Sequence, residues 1–120
     1  MAKKRNPLNL NGLQLKTLTL LQELARHREH ATGTEEAGEV MVSNLPAAHG
    51  DHFHVGPYAV LARDATGLSN PAVFAALERK GLVRSLYPLG AVLTAAGLAY
   101  ETGLRQAILH GGHDEPQQGD

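Results

Sequence analysis

The stretch His49-Gly50-Asp51-His52-Phe53-His54 gathers most of the reactive side chains that this 120-residue chain offers in one place. In an extended strand residues i and i+2 share a face, so His52 and His54 project together, while His49 and Asp51 fall in the adjoining turn. Three imidazoles and a carboxylate could ligate zinc or another first-row divalent metal without any thiolate. The same residues also suit a plainer role, a polar hairpin whose histidines are solvated or hydrogen bonded to nearby backbone. His27, His30, His110 and His113 read as helix-end and tail residues, and His110-Gly-Gly-His113 could chelate a metal adventitiously.

Catalytic patterns are otherwise thin, and no enzymatic activity is expected. Ser43, Ser69 and Ser85 sit in no nucleophile-elbow context. No glycine-rich phosphate loop is present, because Gly111-Gly112 belongs to the tail and Gly97 and Gly103 lie in a helical pattern. Asp64 beside Arg63 reads as a solvated pair at a helix end. The chain has no cysteine, which excludes disulfides and thiolate metal sites and fits a cytoplasmic setting.

Charge argues against a protein that is basic throughout. The formal net charge is −1, yet its distribution is uneven. Residues 1–30 carry Lys3, Lys4, Arg5, Lys16, Arg26 and Arg28 against Glu23 and Glu29, whereas residues 31–56 carry Glu35, Glu36, Glu39 and Asp51 with no Lys or Arg. Only a local patch could therefore meet a polyanion. No run approaches the roughly 18 apolar residues of a membrane helix, so neither a span nor a signal peptide is expected.

The elements that would position these groups follow from spacing and punctuation. Residues 1–8, with Lys3, Lys4 and Arg5, read as a disordered basic arm kept extended by Pro7. Leucines 13, 20, 21 and 24, with Thr17 between them, follow helical spacing from about Asn11 to His27, capped by Asn9 or Asn11. Val40, Val42 and Leu45 predict a strand over about 39–45, and Gly50-Asp51 predicts a hairpin returning through His52–Val55. Pro57 is placed to open a second helix running to Asp64 or Ala65. Ser69 or Asn70 caps a third helix, Pro71 fills its first turn, Val73, Phe74 and Leu77 form its buried stripe, and Gly81 stops it. Two short strands, Leu82–Tyr87 and Ala91–Leu93, flank Pro88-Leu89-Gly90. Thr94 then caps a helix from Ala95 through Ile108, and residues 110–120 read as a disordered tail.

Leu77-Glu-Arg-Lys-Gly-Leu-Val-Arg84 followed by Leu93-Thr-Ala-Ala-Gly-Leu-Ala-Tyr100 resembles the winged helix-turn-helix regulators of the MarR and PadR type over residues 57–103. The resemblance implies an α+β fold in which the helix from Ser69 to Lys80 enters the major groove of double-stranded DNA. Ser69 and Asn70 would approach base edges, Arg79, Lys80 and Arg84 would contact phosphates, and the arm residues Lys3, Lys4 and Arg5 would add to them. Ala72, Ala75 and Ala76 stand where a base-reading helix usually presents polar side chains. The wing from Ser85 to Gly90 carries no charge.

The expected architecture is thus one winged-helix domain over residues 9–109, with an additional β-hairpin (about 39–55) between the first and second helices. The expected function is DNA binding in transcriptional regulation. One rival is a winged-helix module for protein–protein contact, and another is a metal- or ligand-sensing domain built on His49, Asp51, His52 and His54. Apolar surface on the first helix and on Leu98, Leu104, Ala107, Ile108 and Leu109 points to a homodimer, or equally to packing of those helices within one subunit.

Overall fold

The computed structural model describes residues 6–48 and 50–111. His49, the arm residues Lys3, Lys4 and Arg5, and the tail from residue 112 lie outside the described residues.

Helix α1 (Gly12–Leu24) starts on a reciprocal cap. The Asn11 side chain accepts from the Gln14 N–H at 2.8 Å, and the Gln14 side chain accepts from the Asn11 N–H at 3.0 Å. Asn6 and Leu8 are tied to the far end of the chain, because Tyr100 Oη accepts from the Leu8 N–H and donates to Asn6 Oδ1. Leu18, Leu20, Leu21 and Leu24 are fully buried, and so are Thr17 and Thr19. The two threonines donate to the carbonyls of Leu13 and Leu15, which lets their hydroxyls sit in an apolar surround. These four leucines of α1 are thus covered by the chain itself, while Leu13 and Leu15 are partly exposed.

The strands β1 (Ala31–Gly33), β2 (Val40–Ser43), β3 (His52–Val55) and β4 (Tyr58–Leu61) come next. Two short 3-10 turns follow, Ala62–Asp64 and Thr66–Ser69, then α2 (Pro71–Arg79), β5 (Val83–Ser85) and β6 (Gly90–Leu93). Two short helices, α3 (Ala95–Ala99) and α4 (Arg105–Ile108), close the described chain. The fold among the described residues mixes these four helices with a four-stranded antiparallel sheet, order β1-β2-β6-β5, and a two-stranded sheet of β3 and β4. The core between α1, α2 and the larger sheet holds Phe74, Leu77, Leu82, Val83, Val42 and Leu93, all nearly or fully buried.

Three expected elements differ. The strand around 39–45 does not pair with His52–Val55. Instead β2 lies between β1 and β6, with Met41 opposite both Thr32 and Val92. Asn44 ends β2 in the left-handed conformation (φ 56°), and Pro46 beyond it has no amide to donate, so the chain leaves the sheet there.

The expected helix after Pro57 is a strand and a 3-10 turn. Gly56, at φ 59°, and Pro57 form a two-residue connection that pairs Val55 with Tyr58. Tyr58 and Val60 are buried while Ala59 and Leu61 turn outward, which is period-two burial. The expected 95–108 helix is broken in two. Tyr100 takes an extended ψ of 129°, and Gly103 turns the chain at φ 74°.

Between Asn70 and the start of α3 the local signals and the structure agree. Asn70 accepts from the Ala72 N–H, Pro71 opens α2, and Gly81 follows its end at φ 78°. Thr94 accepts from the Gly97 N–H and donates to the Gly81 carbonyl at 2.8 Å, joining the start of α3 to the end of α2. A close approach decides Gly67. A Cβ there would collide with Thr17 Oγ1, so the second 3-10 turn can rest against α1 only with glycine at this position.

Candidate interaction surface and histidine strand

Helix α2 buries Val73, Phe74, Ala76 and Leu77 and exposes Pro71, Ala72, Ala75, Glu78, Arg79 and Lys80. Ala76 therefore belongs to the core rather than to the outer face anticipated for it. The turn joining β5 to β6 is fixed beside the first turn of α2. Tyr87 Oη donates to the Ser69 carbonyl at 2.9 Å, and the Tyr87 ring meets Phe74 edge-on with centroids 5.2 Å apart. Leu86, Pro88 and Leu89 are left exposed on that turn, Leu89 at 72 %.

Among the described residues assigned to DNA, Ser69, Asn70 and Arg84 already serve the fold. Asn70 Oδ1 caps α2, and Ser69 Oγ donates to the Thr66 carbonyl. Arg84 Nη1 lies 2.6 Å from Glu39 Oε2. The hydrogen bond that Arg84 donates to Glu39 and the charge of that carboxylate, with smaller contributions from Glu36 and Glu78, hold the Arg84 pKa above its ordinary value. Glu78 accepts from the Ser85 N–H at 2.8 Å, stitching α2 to β5. Arg79 and Lys80 are exposed at the C-terminal end of α2 and meet no acidic side chain among the described residues.

On β3, Val55 is fully buried and Phe53 packs on the core, so His52 and His54 face outward as period two requires. Their rings meet edge-on with centroids 4.8 Å apart and Nε2 atoms 3.3 Å apart. Asp51 Oδ1 stands 3.3 Å from His52 Nδ1. Among the described residues, no group of three or more His, Asp or Glu side chains is disposed to hold a metal. His49, the fourth residue of the anticipated cluster, lies outside them.

A buried charge cluster is absent from the sequence reading. Glu23, whose side chain is 4 % exposed, accepts from Arg105 Nη1 at 2.6 Å through one oxygen and lies 2.7 Å from His27 Nε2 through the other. Burial by itself would lower the Arg105 pKa, but the hydrogen bond and charge of Glu23 outweigh it and raise the pKa overall. The Arg105 guanidinium also lies 6.0 Å from the centroid of the Tyr58 ring. The cluster ties α1, β4 and α4 together. One signal of it was present: Glu23 interrupts a run of leucines four residues before His27. An open pocket of about 480 Å³ adjoins Arg105 and is lined also by Gln22, Tyr100, Thr102 and Gln106. Gln22 Nε2 donates to the carbonyls of Gly97 and Tyr100, so that wall of the pocket is structural.

Comparison with protein-family models, with curated proteins and with solved structures finds no significant match to this chain.

Proposed function

We propose that the chain is a winged-helix module that docks a protein partner through the face formed by α2 and the β5–β6 turn. The winged-helix part of this reading is supported by element order: α1, β2, the 62–69 turns, α2, then the β5–β6 hairpin with β2 alongside β6. The two 3-10 turns stand where a helix-turn-helix has its first helix.

The observation that carries docking is the apolar character of that face. Leu89 at 72 % and Leu86 at 39 % are exposed beside Pro88, next to a helix whose outer surface presents Pro71, Ala72 and Ala75. Such side chains gain by leaving water and have little to offer a base edge. Arg79 and Lys80 at the end of α2 favour a partner with an apolar centre and an acidic rim. A photo-crosslinking residue at Ala75 tests this. The expected result is saturable capture of one defined protein, lost in Leu89→Asp at unchanged melting temperature. Capture indifferent to Leu89→Asp overturns the reading.

DNA binding is the second reading, favoured by the same exposed Arg79 and Lys80 and by the winged-helix resemblance. Its measure is anisotropy of a random duplex at about 50 mM salt. Binding that weakens as salt rises and is lost in Arg79→Ala/Lys80→Ala would replace protein docking with DNA binding. Salt-insensitive or absent binding removes the DNA reading.

A further inference from the structure

We propose that His52 and His54 form a two-imidazole chelate for a borderline first-row divalent cation of the zinc or nickel class. The proposal stands apart from the α2 face and needs no partner there.

The distance between the two Nε2 atoms is the central observation. A tetrahedral metal with nitrogen ligands at about 2.0–2.1 Å places two of them about 3.3–3.4 Å apart. His52 Nε2 and His54 Nε2 are 3.3 Å apart. A cation seated between them would replace that Nε2–Nε2 hydrogen bond at a spacing that is already tetrahedral. The backbone is held by the β3–β4 ladder, in which His52 pairs with Leu61 and His54 with Ala59. The opposite face of β3 is anchored in the core through Val55 and Phe53.

Asp51 supplies the orienting contact. Its Oδ1 lies 3.3 Å from His52 Nδ1, and a proton held there leaves the lone pair on Nε2, the atom that faces His54, the arrangement seen when a carboxylate supports a metal-bound histidine. Ala59, opposite His54 on the outer face, carries only a methyl group. His110 stands in the same row on the other side of Ala59, joined to it by two backbone hydrogen bonds of 2.8 and 3.1 Å. Imidazole nitrogen selects zinc, nickel or copper over magnesium and calcium, which require oxygen ligands. Water would complete the coordination of a cation held by two side chains.

Calorimetric titration of the full chain with Zn²⁺ at neutral pH, repeated with Mg²⁺, tests the site. The expected result is uptake of one Zn²⁺ per chain and no uptake of Mg²⁺. Uptake should be lost in His52→Gln and in His54→Gln, weakened ten- to a hundredfold in Asp51→Asn, and retained in His110→Ala/His113→Ala. Melting temperatures of the metal-free variants, matching wild type, show that the fold persists. Nickel-induced paramagnetic broadening of the His52 and His54 ring signals supplies an independent readout in the unaltered chain. No Zn²⁺ uptake by wild type, undiminished uptake by the double His52→Gln/His54→Gln variant, or loss on removing only the tail histidines overturns the proposal.

Discussion

Arg84 on β5 and Glu39, just before β2, meet at 2.6 Å across the intervening strand β6. The sheet order makes this possible: β6 pairs with β2 on one side and β5 on the other, so residues 45 apart in sequence flank the same strand. A cation that the resemblance assigns to a phosphate is thereby matched by a carboxylate. Its local charge is largely cancelled before any polyanion approaches.

This pairing separates Arg84 from its neighbours in a binding assay. Replacing Arg84 by Gln is expected to leave low-salt duplex anisotropy unchanged, whereas Glu39→Gln raises any duplex affinity by uncovering the guanidinium. A drop in affinity with Arg84→Gln, equal to that with Arg79→Ala, would show that the pair opens on contact.

Glu23 is the buried charge on which α1, β4 and α4 converge, so Glu23→Ala leaves Arg105 and His27 without their shared carboxylate. Arg105 is 38 % exposed and regains some hydration, which discounts the full cost of breaking a buried pair. A loss of about 2 kcal/mol in urea unfolding is expected. Unchanged stability would mean that the cluster is dispensable to the fold.

The pH dependence contributed by Arg105 follows from its raised pKa. A cation whose folded pKa lies above its unfolded value stabilises fully below the unfolded value, and the stabilisation disappears as pH rises through the folded one. Both lie in the strongly alkaline range of arginine. The difference in urea stability between wild type and Arg105→Gln, a variant that keeps Glu23, should therefore show no change from Arg105 titration between about pH 6 and 9. Parallel unfolding titrations of the two proteins across that range measure it.

Gly67 and Thr17 set the distance between the second 3-10 turn and α1. Gly67→Ala forces a methyl group against Thr17 Oγ1 and is expected to cost about 1–3 kcal/mol. Adding Thr17→Ala removes the obstructing hydroxyl and should recover part of that loss. Chemical denaturation of the two single variants and the double variant measures the coupling.

Leu89 carries the docking proposal, and its 72 % exposure means that the fold does not depend on it. Leu89→Asp is expected to leave the unfolding midpoint within about 0.5 kcal/mol of wild type while removing partner capture. A large fall in stability would instead assign Leu89 to the core.

Much of the fold was legible where the deciding interactions lie within a few residues. Asn11, Asn70 and Thr94 could be read as caps because each side chain serves an amide two or three positions ahead. Gly81 could be read as a stop because the chain there takes a positive φ that few other residues tolerate. The candidate metal pair was legible for the same reason, since strand geometry alone puts His52 and His54 on one face.

Partner choice was not legible. Pro57 serves equally to open a helix or to complete a tight strand connection, and the burial of Tyr58 and Val60 against the core decided for the strand. Nothing near Val40–Ser43 says that its partners are Ala31–Gly33 and Gly90–Leu93. Register between distant strands is decided by which apolar faces can be buried together. Likewise, Arg84 could be seen as a cation from sequence, and only the sheet order placed Glu39 against it.

The sequence by itself therefore determined the caps of α1, α2 and α3, the stop at Gly81 and the shared face of His52 and His54, because those depend on local sterics and short hydrogen bonds. The tertiary structure decided which strands pair, that Glu23 sits between Arg105 and His27, and that Tyr87 holds the β5–β6 turn beside the first turn of α2. Those outcomes rest on burying one common core, a condition that no short segment can satisfy alone.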